Sequence, residues 1–138
     1  MRRATGVSKE TALLVLQRDA WACVSCGADV SHGERGRDFS IHHRIPRGMG
    51  GSRDERLNRP SNLIVLCGSG TTGCHGGAES YREGARDRGI ILYRTQDPTQ
   101  VPVEVCIQRP SATEPFESWP FLLDNDGGRT AMEADHAD

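Results

Sequence analysis

Eight residues stand at spacings that can do chemistry. Cys23 and Cys26 form a C-x-x-C pair, and Cys67 and Cys74 form a second pair with six residues between them. Two such pairs can close a tetrahedral thiolate site around Zn2+, at about 2.3 Å per sulfur. The bland alternative is four unrelated buried or free thiols. Histidines are placed around the same points. His42 and His43 are adjacent, Asn62 follows 20 residues after His42, and His75 comes 13 residues later, directly after Cys74. A zinc-bound Cys74 would hold His75 in a fixed place. Neighbouring side chains of a strand point to opposite faces, so His42 and His43 should do different jobs.

Two imidazoles suit Mn2+, Ni2+, Co2+ or Zn2+ better than Mg2+, although abundance favours Mg2+ or Mn2+. An ordinary histidine, with a pKa of about 6.5, is largely neutral at pH 7–8 and can accept a proton there. Glu79 lies four residues after His75, on the same face if the segment is helical. It is a third ligand, an outer partner of the site or, more simply, a surface pair with Arg82. Cys106 has no partner in either pair and reads as a small core residue.

The elements that must position these groups follow from the pattern. Ser8 is an N-cap, and the apolar residues after it predict a helix ending near Ala20. "WACVSCGADVS" is the knuckle. Phe39–Ile45 reads as a strand ended by Pro46, and "NLIVLC" as a second one, Leu63 to Leu66. Cys67 then closes the strand and Cys74 opens a helix predicted from His75 to about Arg88. The glycines of "GSGTTG" let the intervening loop fold back on itself. "IILYR" and "VPVEVCI" read as two further strands, split by "TQDPTQ".

The chain has 138 residues, enough for one domain with a tail. Apolar content is 36% and aromatic content 5%, a thin core that a metal staple would support. No apolar run reaches membrane-spanning length, and the first ten residues lack the apolar core of a signal peptide. The expectation is a soluble, cytoplasmic protein, where clustered cysteines mean metal more often than disulfides. A secreted disulfide-bonded domain is the contrary reading.

Residues 1–95 carry 15 Lys and Arg against 10 Asp and Glu, and residues 96–138 carry 2 against 9, so the net charge of −2 hides a basic body. The densest basic run, Arg35 to Arg59, holds seven arginines. Arg44, Arg47, Arg53 and Arg56 are candidate phosphate contacts, and a solvated charged surface explains each equally well. The acidic residues 124–138 have little to bury and read as a disordered tail.

In combination, "IHHRIPRGMGG", "NLIVLC" and "CH" resemble the HNH endonucleases, and "CVSCG" resembles their zinc-stapled branch. The resemblance covers about residues 21–88. It implies an α+β fold: a ββα-metal core with a four-cysteine zinc knuckle, an N-terminal helix and a small C-terminal β-like extension, in one domain spanning residues 1–123. It implies hydrolysis of DNA phosphodiester bonds with low sequence specificity. His42 and His75 would bind a catalytic divalent cation, His43 would be the general base, and Asn62 would tie the loop to the backbone near that base. "CGSGTTGCHGG" looks most like small bacteriophage proteins associated with the DNA-packaging terminase, which implies terminase subunits as partners and a host cytoplasm as location. A zinc-knuckle module that binds nucleic acid or protein without catalysis is the alternative. Intact His42, His43, Asn62 and His75 speak against it.

Overall fold

The computed structural model describes residues 6–48 and 54–134. The fold is mixed α+β, with two small antiparallel sheets. Helix α1, Lys9–Arg18, starts at Ser8, whose side-chain oxygen accepts from the Thr11 N–H as the sequence predicts. Strand β1, Phe39–His43, pairs with β2, Leu63–Cys67, so that Phe39 faces Cys67, His42 faces Ile64 and His43 faces Leu63. Helix α2 is Gly73–Ser80 and α3 is Arg82–Asp87. Strands β3 (Val103–Gln108), β4 (Glu117–Leu123) and β5 (Arg129–Ala131) form the second sheet.

The β1–β2 hairpin is covered on both faces. Leu63 and Val65, with Phe39 and Ile41, pack against Ala12, Val15 and Leu16 of α1. Ile64 and Leu66 point the other way, into a core with Ala78, Ala85, Ile90 and Val103. A strand buried on both faces reads as a continuous apolar run, which is why "LIVL" shows no alternation. Because His42 shares a face with Ile64 and His43 with Leu63, the register sends the two histidines to opposite sides.

The free edge of β2 is satisfied by side chains. Arg18 donates to the Leu63 and Pro60 carbonyls, and Asp19 accepts from the Val65 N–H at 3.0 Å. Arg18 and Asp19 are themselves paired at 2.8 Å, with both side chains 1% exposed. Nothing in the sequence pattern marks these two as core residues.

Three expectations are corrected. The helix from His75 to Arg88 is broken at Tyr81, whose backbone (φ −131°, ψ 73°) leaves the helical region. "IILYR" is not a strand. Ile90, Ile91 and Leu92 are buried, but the carbonyls of Gly89 and Ile90 accept from the Arg44 and His42 side chains, and the Leu92 N–H donates to the Arg44 carbonyl. Scattered bonds to the end of α3, the Arg44 backbone and the His42 side chain there replace a sheet ladder. The stretch expected to be a disordered tail carries β5, paired with β4 through Phe121–Ala131 and Leu123–Arg129. Asn125 accepts from the Ser61 N–H at 3.1 Å, which ties this hairpin to the turn before β2. The last four residues, 135–138, lie outside the described residues.

Candidate active site

The four cysteines converge. One sulfur from each of Cys23, Cys26, Cys67 and Cys74 lies within 4.8 Å of the others. Cys26 and Cys67 are 3.7 Å apart at sulfur. A tetrahedron with metal–sulfur bonds of about 2.3 Å has edges of about 3.8 Å, so the donors stand close to the spacing that zinc needs. Backbone supports the cluster: the Cys74 N–H donates to the Cys67 sulfur at 3.4 Å. The thiols also act on one another. Hydrogen bonding from Cys74 lowers the Cys23 pKa to about 5, whereas burial pushes Cys26 up to about 11 and the bond with Cys23 pushes Cys74 up further. One thiolate is favoured and the next is opposed by it, a conflict that a divalent cation resolves.

The long spacing between Cys67 and Cys74 is absorbed as the glycines suggest. Gly68 has φ +85°, and a Cβ on it would stand 2.1 Å from the Thr72 carbonyl oxygen. Gly73 has φ +61°, and a Cβ on it would stand 2.7 Å from the Cys67 carbonyl oxygen. Only glycine lets the loop close on itself there. Cys106 is outside the cluster; its N–H donates to the Val24 carbonyl, and its half-buried sulfur packs beside Gly27.

A second donor set lies beside the cluster, with His75 directly after Cys74 in the first turn of α2. One ligand atom from each of His42, His75 and Glu79 falls within 4.8 Å of the others. Hydrogen bonds decide which nitrogens are available. His42 Nε2 donates to the Ile90 carbonyl at 3.0 Å, which leaves its Nδ1 lone pair unused. Ser40 Oγ donates to the Gly68 carbonyl, so toward His75 Nδ1, 2.9 Å away, it accepts. His75 therefore carries its proton on Nδ1, and the bare Nε2 faces Glu79 Oε1 at 3.9 Å. Both imidazoles are held in the tautomer that can ligate a cation. Burial, with His75 nearby, lowers the His42 pKa to about 3, and burial lowers that of His75, so neither is protonated at neutral pH. Glu79 Oε2 accepts from Arg82 at 2.9 Å. Glu79 thus forms the pair with Arg82 through one oxygen and turns the other toward His75.

His43 is built differently. Its Nε2 lies 2.8 Å from Asn58 Oδ1. An amide oxygen only accepts, so Nε2 carries the proton and Nδ1 is the basic nitrogen. Burial lowers its pKa, Asn58 partly opposes this, and the charges of Arg47 and Arg35 lower it further. Asn58 is a site residue that sequence reading missed. Its position four residues before Asn62 carries no signal of its own; only the 3-10 turn Glu55–Asn58 brings it to the strand end.

Asn62 is fully buried and does what was expected of it. Its Oδ1 accepts from the Ile45 N–H at 2.8 Å, and its Nδ2 donates to the Leu57 carbonyl at 2.9 Å and the Ile45 carbonyl at 3.3 Å. It thus locks the loop after His43 to the turn that carries Asn58.

The arginines divide. Arg44 is corrected: it is 0% exposed and cannot meet a phosphate. Its guanidinium donates to the carbonyls of Gly89, Ser61, Pro98 and Val101 at 2.7–2.9 Å, which binds the end of β1 to the segment before β3. Burial lowers its pKa to about 9, still charged at neutral pH. Arg47 is half-buried near His43. Arg56 is exposed and paired with Asp54 at 2.9 Å. Arg53 lies outside the described residues.

No protein-family model, curated protein or solved structure matches this chain. Among the described residues no helix is long and apolar enough to cross a membrane.

Proposed function

We propose that the protein is a metal-dependent DNA endonuclease of the HNH type, with β1, β2 and α2 as its ββα-metal core and zinc in the four-cysteine knuckle. One observation carries this reading. Two consecutive histidines are held differently by their hydrogen bonds: His42 joins His75 and Glu79 with a bare Nδ1, while Asn58 holds the separate His43 with its own Nδ1 bare. A pure binding module has no use for that division.

In this reading His42 and His75, with Glu79 beside them, hold the catalytic cation, Mn2+, Mg2+, Ni2+ or Zn2+. When bound, such an ion stabilises negative charge on the phosphate and on the leaving oxygen. His43 Nδ1 accepts a proton from the attacking water, which its lowered pKa permits at neutral pH. Asn62 and Asn58 keep that imidazole aimed. Basic residues around His43, Arg35 and Arg47, favour a polyanionic substrate. Terminase subunits are the partners to test, on the strength of the phage-like "CGSGTTGCHGG".

The test is nicking of supercoiled plasmid by zinc-loaded protein with Mn2+, Mg2+ or Ni2+ added, against the same protein without addition. Nicking that depends on the added ion and on His43 is expected. Folded, zinc-loaded protein that binds DNA but stays inactive with every ion would favour the non-catalytic module.

A further inference from the structure

A cleft of about 420 Å³ opens beside the turn that holds Asn58. Ile45 and Leu57 give it an apolar wall, and Arg56, Arg59 and Arg94 bring three positive charges to it against Asp54 and Asp97. Arg94 comes from the segment before β3, about 35 residues along the chain from Arg59, so no basic run in the sequence announces the pairing.

The acids of this cleft are already engaged. Asp54 accepts from Arg56 through both carboxylate oxygens, at 3.0 and 2.9 Å. Asp97 Oδ1 accepts from the N–H and the hydroxyl of Thr99. Arg59 and Arg94 are exposed, and their guanidinium groups form no hydrogen bond or ion pair among the described residues, although Arg94 lies near enough to act on Asp54. Two planar guanidiniums on one concave surface, with Asp54 paired to Arg56 and Asp97 hydrogen-bonded to Thr99, suit the oxygens of a phosphate group.

Position selects the ligand. Leu57 lines the cleft and Asn58, the next residue, holds His43. Ser61 lines it too, directly before Asn62. Consecutive Cα atoms are about 3.8 Å apart, so the cleft begins within one residue of the groups that orient the base. Arg35 and Arg47 lie near enough to His43 for their charges to act on it. A strand whose scissile phosphate sits at His43 would run from one basic zone to the other.

We infer that the cleft between the Asp54–Ser61 turn and the Arg94–Pro98 segment is a DNA backbone subsite, in which Arg59 and Arg94 grip a phosphate flanking the cleaved one. This rests on the endonuclease reading for its substrate, but its contacts can be measured without catalysis. Contacts to phosphate carry no sequence information and release counterions.

The experiment measures binding of a fluorescein-labelled 20-base-pair duplex by zinc-loaded protein, without added divalent ion, from 50 to 200 mM salt. The Arg59→Ala/Arg94→Ala variant should bind roughly tenfold or more weakly at low salt. The slope of log affinity against log salt should become shallower by about 1–2, since each phosphate contact contributes about 0.9. Zinc content and circular dichroism should be unchanged. Arg59→Lys/Arg94→Lys should recover most of the slope, and Arg37→Ala, outside the cleft, should match wild type. In parallel nicking assays the double alanine variant should raise KM and keep kcat. If wild-type protein binds the duplex and the double variant keeps both affinity and slope, the subsite is overturned while metal-dependent nicking can still uphold the endonuclease. If wild-type protein binds no DNA, both fall.

Discussion

His43 and Asn58 meet at 2.8 Å, imidazole Nε2 against amide oxygen, across the mouth of the loop that Asn62 ties shut. The contact fixes the ring's tautomer and direction, and it raises the His43 pKa against the lowering effect of burial. Asn58→Ala should therefore reduce nicking about 10- to 100-fold, the usual cost of losing an orienting partner. It should also move the acid limb of the pH–rate profile down, because a contribution that favours imidazolium is gone. Asn58→Asp should move that limb up, since a carboxylate favours the charged ring. Profiles of both variants check this; identical limbs in all three proteins would remove Asn58 from the site.

His43→Ala should lower the cleavage rate by roughly 10²–10⁴ with folding, zinc content and DNA affinity little changed. His42→Ala and His75→Ala should instead weaken binding of the catalytic cation, and excess Mn2+ should partly restore them. Calorimetric titration of Mn2+ into each variant separates the two outcomes. A loss of metal affinity in His43→Ala with retention in His42→Ala would show the two roles reversed.

Cys23→Ser should lower zinc content and thermal stability together. Whole structural zinc sites contribute roughly 10–16 kcal/mol in small peptides, so loss of one ligand should cost several kcal/mol. His43→Ala protein should still hold one tight equivalent of zinc. Retention of both zinc and stability by Cys23→Ser would break the four-cysteine assignment.

Arg44→Met should destabilise the protein by about 3–5 kcal/mol, because four carbonyls lose a buried charged donor. Arg44→Lys should recover little, since one ammonium cannot reproduce the guanidinium fork. Urea unfolding midpoints report the loss. The salt slope of DNA binding should not move, which a phosphate-contacting arginine would not allow.

Much was legible in the chain because it was local. Ser8 announces α1 by its cap, the strand expected over Phe39–Ile45 forms over Phe39–His43, and the glycines at 68 and 73 let the loop fold back on itself. The cysteine spacings predicted a cluster, and the cysteines meet in one. Asn62 was expected to tie the loop after His43, and its three hydrogen bonds do so.

What failed was the assignment of charge and of edges. Arg44, beside two histidines in a basic run, reads as a phosphate contact, yet it is the largest fully buried side chain. The buried pair Arg18–Asp19 is likewise invisible, since a charged residue enters a core only where distant carbonyls and N–H groups happen to be left over. "IILYR" has strand propensity, but the Ile90 and Ile91 N–H groups donate to the Ala85 carbonyl at the end of α3, the Leu92 N–H to the Arg44 carbonyl, and the Ile90 carbonyl accepts from the His42 side chain. The acidic 124–134 segment forms part of a sheet because β4 offers it an edge and Ser61 offers Asn125 a donor.

The sequence by itself determined which groups are available for chemistry: four thiols at metal spacing, two adjacent histidines, an asparagine and a third histidine after a cysteine. Tertiary structure alone decided what each does. Strand alternation already sends His42 and His43 to opposite sides, but hydrogen bonds to Ile90, Ser40 and Asn58 choose which imidazole nitrogen is left bare. Residue type fixes what a side chain can donate or accept. Whether it does so is set by the partners that other segments place within about 3 Å, and no local pattern encodes those.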